Sequence, residues 1–189
     1  LFNIIREMLT TKWGDRLSCS WSGDIENISP NDMYLIKTHT LSRFYRVRGQ
    51  KIFYTYRDIR VAAVSQQRKF NYPITIDYIQ FLIRQYELAK KHSDLCIRYE
   101  DMMKEPSKYI LAVADVLGLS VDVDAIYAQS FDLKPHEGEG AYSSKSLLHR
   151  GHFTHTQDHE WREVLDPSLQ EQIHKNFGWW FEECGYSPN

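Results

Sequence analysis

Apolar residues recur at positions 1, 2, 4, 5, 8 and 9 of the opening stretch LFNIIREMLTTKW, the spacing of one helix face. The run from 14 to 31 is polar and turn-rich and predicts a loop. MYLI then reads as a short strand, and LSRFYRVRGQ as a helix halted at Gly49. KIFYTY alternates and is rich in aromatic and β-branched residues, which predicts a strand at about 51–56. DIRVAAVSQQRKF has apolar residues at 59, 61, 62, 64 and 70 and predicts a helix capped by Asp58. TIDYIQFLIRQYELAKKH predicts a long amphipathic helix whose basic end suits the helix dipole. SDLCIRYE reads as a third strand. PSKYILAVADVLGL follows as a helix with Pro106 in its first turn and Gly118 near its end. DVDAIYAQSF predicts a short helix, 132–160 an irregular stretch, and a closing helix starts at Asp166 or Pro167.

Strands alternating with helices predict an α/β fold with a mainly parallel sheet, in which ligands bind at the carboxyl ends of strands. The 189 residues suit one domain, 1–189. Hydrophobic residues at 42% and charged residues at 25% are ordinary for a globular chain. A net charge of -2 argues against general binding to nucleic acid or membrane surfaces, while 23 Lys and Arg can still build a local basic pocket. Cys19, Cys96 and Cys184 lack metal-ligand spacing and read as free thiols of a reducing compartment, so a cytoplasmic location is expected. Cys96, inside DLCIRYE, is expected to be a buried small hydrophobe. No run approaches the ~20 apolar residues of a membrane span.

Each of the three strands is followed by polar chemistry. MYLI leads into Lys37, Thr38 and His39; KIFYTY into Arg57 and Asp58, with Ser65 further on; LCIRY ends at Tyr99, Glu100 and Asp101. In one parallel sheet these ends share an edge, and Lys37, His39, Arg57 and Tyr99 converge on one crevice. Lys37 and His39 alternate to the same side of an extended segment. Arg57 stands where a helix begins, a place that favours an anion, and its guanidinium suits phosphate oxygens. Ser65, two helical turns on, reaches the same anion only if that anion lies along the helix. Arg57 equally suits an ion pair with Asp58, Glu100 or Asp101, and His39 alone suits a structural role.

Four segments together resemble the PAPS-dependent sulfotransferases, in family order over almost the whole chain. LIKTHT is similar to their Lys-Thr-His strand end. YTYRDIRVAAVSQQRK is similar to their 3′-phosphate segment, Arg-Asp-x-Arg-x-x-x-x-Ser. IRYEDMMKEPSKYILAVADVLGL resembles their Tyr-Glu-Asp strand with its following Pro and Leu-Gly-Leu helix. HEWREVLDPSLQEQIHKNFGWWFEECGY resembles their closing Trp segment and last helix. The resemblance implies a P-loop NTPase-like sheet flanked by helices. It also implies transfer of a sulfuryl group from 3′-phosphoadenosine 5′-phosphosulfate (PAPS) to a hydroxyl or amine of a small-molecule or glycan acceptor, releasing adenosine 3′,5′-bisphosphate (PAP). In that pattern His39 is the general base and Lys37 stabilises the leaving group. Arg57 and Ser65 hold the 3′-phosphate, Tyr99 lies by the adenine, and no metal is required.

Two departures accompany the resemblance. The family's Gly/Ser/Thr phosphate loop and first strand are not in the sequence, and LFNIIREML resembles the helix that follows that loop. The C-terminal Arg-Lys-Gly-x-x-Gly-Asp-Trp pattern is reduced to Arg150, Gly151 and a later Trp161, so Lys145 or Arg150 is the candidate to cover the phosphates. His149, His152, His155 and His159 fit solvent-facing imidazoles of a lid better than a zinc site. Trp179 and Trp180 fit core packing. Phe44, Tyr45, Phe70 and Tyr72 are candidate acceptor walls, with core burial as the competing role. Rival readings are a nucleotide kinase-like phosphoryl transferase and a non-catalytic nucleotide-binding homologue.

Overall fold

The opening amphipathic stretch forms helix α1 (Phe2–Trp13), which buries Ile4, Ile5, Met8 and Leu9 along one face. In the computed structural model, residues 1–23, 33–41, 49–131, 142–143, 146–148 and 159–187 are described. Contacts divide the chain into two units, Leu1–Thr55 with Ser93–His152 and Tyr56–His92 with Phe153–Asn189.

In the first unit α1 packs on the strands β1 (Leu17–Trp21) and β2 (Met33–Lys37). These strands are parallel neighbours, with Leu17 opposite Met33 and Trp21 opposite Lys37. Strand β3 (Phe53–Tyr56), whose last residue opens the second unit, pairs with β4 (Leu95–Arg98). Asp94 clips their starts together, accepting the Ile52 N–H at 2.8 Å while its own N–H donates to the Ile52 carbonyl at 2.7 Å. Helices α4 (Tyr99–Lys104), α5 (Pro106–Leu117) and α6 (Val123–Phe131) follow. The core joins the α1 face to Leu35, Ile97, Met102, Ile110, Val113 and Ile126. Each such side chain contributes about 1.5–3 kcal/mol relative to exposure. Helix α5 stops where Gly118 adopts φ 64° and Leu119 N–H reaches back to the Ala114 carbonyl at 2.9 Å.

In the second unit α2 (Ile59–Phe70) is capped by Asp58, which accepts the Arg60 N–H at 2.9 Å. Helix α3 (Ile76–His92) packs on α2 and on the closing helix α8 (Pro167–Cys184), and the short α7 (Trp161–Val164) packs on α2. Helix α8 is capped by Asp166 and kinks at Phe177 beside Gly178. Trp180 is fully buried, stacked on Tyr186 at 5.3 Å and met edge-on by Tyr86 at 5.7 Å.

Several expectations change. The run after α1 contains β1, a strand read as loop because two serines interrupt its apolar positions. That strand pairs with β2, and the described strands form two two-stranded sheets rather than the single edge expected to collect three strand ends. Tyr99 begins α4 instead of ending a strand, and the acidic Glu100 and Asp101 suit that helix start. Cys96 is exposed, because Leu95 and Ile97 face the core and it points the other way. Trp179 is 43% exposed, so only its neighbour Trp180 packs in the core. All three cysteines are free thiols. The helix read in LSRFYRVRGQ falls almost wholly outside the described residues, as do most of the 132–160 stretch and its His149, His152 and His155. No helix among the described residues is long and apolar enough to cross a membrane.

Candidate active site

Lys37 is the last residue of β2, and Trp21 is the last residue of β1 across from it. That register lays the half-buried Lys37 side chain over the indole, with Nζ 4.6 Å from the ring centroid. Phe2 offers a second ring at 5.7 Å, and the ammonium donates to the Leu147 carbonyl at 3.4 Å. The ladder runs one step further, with Ser22 N–H donating to the Lys37 carbonyl at 2.9 Å. Thr38 then bends the chain. Its hydroxyl accepts the Thr40 N–H at 3.0 Å and receives the Ser22 hydroxyl at 3.3 Å. The bend leaves His39 exposed with its ring 5.3 Å from Trp21 and tilted by 43°. Lys37 and His39 are therefore brought together on one indole, in the first unit.

Arg57, Asp58 and Ser65 belong to the second unit. Asp58 is spoken for: it caps α2 and binds Arg60, whose Nη2 lies 2.6 Å from its carboxylate. Arg60 is 2% exposed, sandwiched between the rings of Trp161 at 3.8 Å and Phe181 at 4.3 Å, and donates to the Ser187 carbonyl at 2.7 Å. Its Nη1 lies 3.3 Å from His174 Nε2. Burial first, then the Arg60 charge, lowers the His174 pKa, partly opposed by Asp58. Asp58 and Arg60 offset each other, and Arg57 stands half-buried just before the start of α2. Ser65 is half-buried and, at 1.5 Å per helical residue, sits about 9 Å along the axis from the helix start.

Tyr99 is 37% exposed at the head of α4, where Arg98 pairs with Glu100 at 3.5 Å. Tyr99 shares the first unit with Lys37 and His39. Arg150 and Lys145 lie outside the described residues, as do Phe44 and Tyr45. Phe70 and Tyr72 are 46% and 65% exposed and stack on each other at 6.3 Å, which excludes a core role for either. Asn71 between them turns the chain with φ 55°. Sequence reasoning missed Trp21 and the Leu147 carbonyl. The signal for Trp21 was the alternation of Leu17, Cys19 and Trp21 with two serines. Leu147 carries no local signal. Among the described residues no group of three or more His, Cys, Asp or Glu is placed to hold a metal ion.

A family model described as a sulfotransferase domain matches residues 25–185. No match to the chain was found among curated proteins or solved structures.

Proposed function

Because the chain belongs to the sulfotransferase-domain family, we propose that it moves a sulfuryl group from PAPS to a hydroxyl or amine of a small-molecule or glycan acceptor. The match spans residues of both units, and we take them as parts of one sulfotransferase domain. The observation that carries this reading is the convergence of Lys37 and His39 on Trp21 at the end of β2. Sulfuryl transfer resembles phosphoryl transfer, with a loose in-line transition state and charge gathering on the leaving oxygen. It calls for positioned cations and a base more than for covalent chemistry.

In this reading His39 takes the proton of the acceptor hydroxyl. The acceptor oxygen bonds to sulfur as the bond from sulfur to the 5′-phosphate oxygen breaks. Lys37 stabilises the charge that collects on that departing oxygen. Arg57 and Ser65 hold the 3′-phosphate, Tyr99 lies against the adenine, and Arg150 covers the phosphates. The residues at the start of α2 suit an anion, since Arg60 neutralises the capping carboxylate and Arg57 adds a cation beside the helix amino end. Bound PAPS supplies the activated sulfuryl group, and the side chains supply orientation and charge. The exposed Phe70–Tyr72 pair is the proposed apolar wall for the acceptor.

The test is calorimetry on the full-length protein with PAP against 5′-AMP. We expect PAP to bind about 10- to 150-fold more tightly, the worth of charge-assisted hydrogen bonds of about 1.5–3 kcal/mol. Arg57→Ala is expected to remove the difference. Equal affinity of the unaltered protein for the two nucleotides ends the 3′-phosphate assignment. Tight PAP binding without transfer to any acceptor in a labelled-donor screen points instead to a non-catalytic nucleotide binder.

A further inference from the structure

Trp21 connects groups that its own strand cannot. It faces Lys37 across the β1–β2 register, receives the ammonium on its ring at 4.6 Å and lies 5.3 Å from the His39 imidazole. Tyr142 meets it edge-on at 6.2 Å and braces the indole in turn. Lys37 is a flexible cation on a four-carbon stem, and fixing it requires partners that oppose its rotamer freedom. Here the partners include two aromatic faces, Trp21 and Phe2, and a carbonyl. That carbonyl belongs to Leu147, fully buried at φ 51°, a backbone conformation a bulky side chain rarely adopts. The turn enforces it: Leu147 N–H donates to the Ser143 carbonyl at 2.8 Å and Ser143 N–H to the Leu148 carbonyl at 2.9 Å. His39 is exposed, and the Trp21 ring gives its imidazole a packing surface.

We propose that Trp21 is a positioning residue for sulfuryl transfer. Its ring holds the Lys37 ammonium and the His39 imidazole in one fixed relation, so that base and leaving-group cation reach the reacting atoms together. This rests on the reading of Lys37 and His39 as the reacting pair. The family pattern does not assign the role, since Trp21 precedes the matched residues 25–185. A cation over an aromatic face is attracted by the ring quadrupole, most strongly by tryptophan. A Leu at this position removes the face, whereas a Phe keeps one.

The experiment compares Trp21→Leu, Trp21→Phe and His39→Ala in the full-length protein. It measures kcat, the donor KM, and the ring-proton resonances of His39, assigned by their loss in His39→Ala. Trp21→Leu is expected to lower kcat about 5- to 30-fold, the range for a partly desolvated cation–aromatic contact, with the donor KM within about twofold. The His39 resonances move as the indole ring current is lost, and Trp21→Phe recovers most of kcat. Wild-type kcat in Trp21→Leu, or equal impairment of the Leu and Phe variants, overturns the positioning role. Should the Leu variant not fold, fluorinated tryptophans placed at position 21 keep the shape while weakening the ring face. A stepwise fall in kcat along that series is then expected, and a flat series overturns the role. Full turnover in His39→Ala overturns the functional reading itself; inactive His39→Ala beside fully active Trp21→Leu overturns only the role of Trp21.

Discussion

The Lys37–His39 corner and the Arg60 knot hold their charges in opposite ways. Arg60 is 2% exposed, bound through Nε and Nη2 to carboxylate and carbonyl partners, and closed above and below by rings. Lys37 is half-buried over two aromatic faces and reaches the Leu147 carbonyl by a long hydrogen bond, and His39 stands exposed at a bend. A guanidinium locked by short hydrogen bonds cannot turn to a ligand without leaving a buried carboxylate unpaired. An ammonium resting on aromatic faces and an exposed imidazole can meet a ligand while the ring keeps them in place. The same contrast divides two arginines three residues apart: Arg60 holds the second unit together, and Arg57 is the one proposed for an anion.

The largest expected effect breaks the knot. Asp58→Ala removes the helix cap and strands the Arg60 charge in the core, and is expected to destabilise by about 3–5 kcal/mol in urea unfolding. Arg60→Met added to that variant is expected to recover part of the loss, since an apolar side chain can lie between Trp161 and Phe181. A loss below about 1 kcal/mol in the single variant places the pair among ordinary surface ion pairs and erases the contrast.

The complementary change is at the corner. His39→Ala is expected to lower the proposed transfer by about 10²–10⁴-fold, the usual worth of a general base. Its unfolding free energy should stay within about 0.5 kcal/mol of the parent, as for an exposed side chain outside the core. A destabilisation as large as that of Asp58→Ala would make His39 a structural residue, and the two regions would no longer differ in kind.

How much of this was legible depended on the range of the interaction. Helix α2 and its cap were readable because Asp58 and the apolar spacing after it are local. Lys37 and His39 were readable as a pair because only one residue separates them, although Thr38 bends the chain there instead of extending it. Trp21 was not, because its partner is fixed by strand register, a non-local fact. Its strand carried a period of two that the serines disguised. Arg57 stood out in sequence by its place at a strand end, whereas nothing local marked Arg60 for burial. Only the rings of Trp161 and Phe181, distant in the chain, decide which one is buried. Cys96 and Tyr99 were misjudged for a local reason: an apolar-looking run was extended by one residue at its end and read as buried throughout.

The smallest effect is a pH signature of the knot. His174 meets Arg60 and packs on the Phe181 ring at 5.7 Å. Burial and then the Arg60 charge lower its pKa below the ordinary 6.5, with Asp58 pulling the other way. Folding therefore favours the neutral imidazole. Between the lowered folded value and 6.5 the unfolded chain binds more protons than the folded one, so stability rises with pH. The contribution is complete above the ordinary value, declines as pH falls below it, and levels off beneath the folded pKa. His174→Gln keeps an acceptor for Arg60 without the titration. Urea midpoints at about pH 7.5 and about pH 5 should then fall more steeply with acid in the parent than in this variant, the other titrating groups being common to both. His174 is only partly covered by protein, so the difference should be the smallest of those considered. Equal acid sensitivity of parent and variant would separate His174 from the knot and leave Asp58 and the ring sandwich as its operative partners.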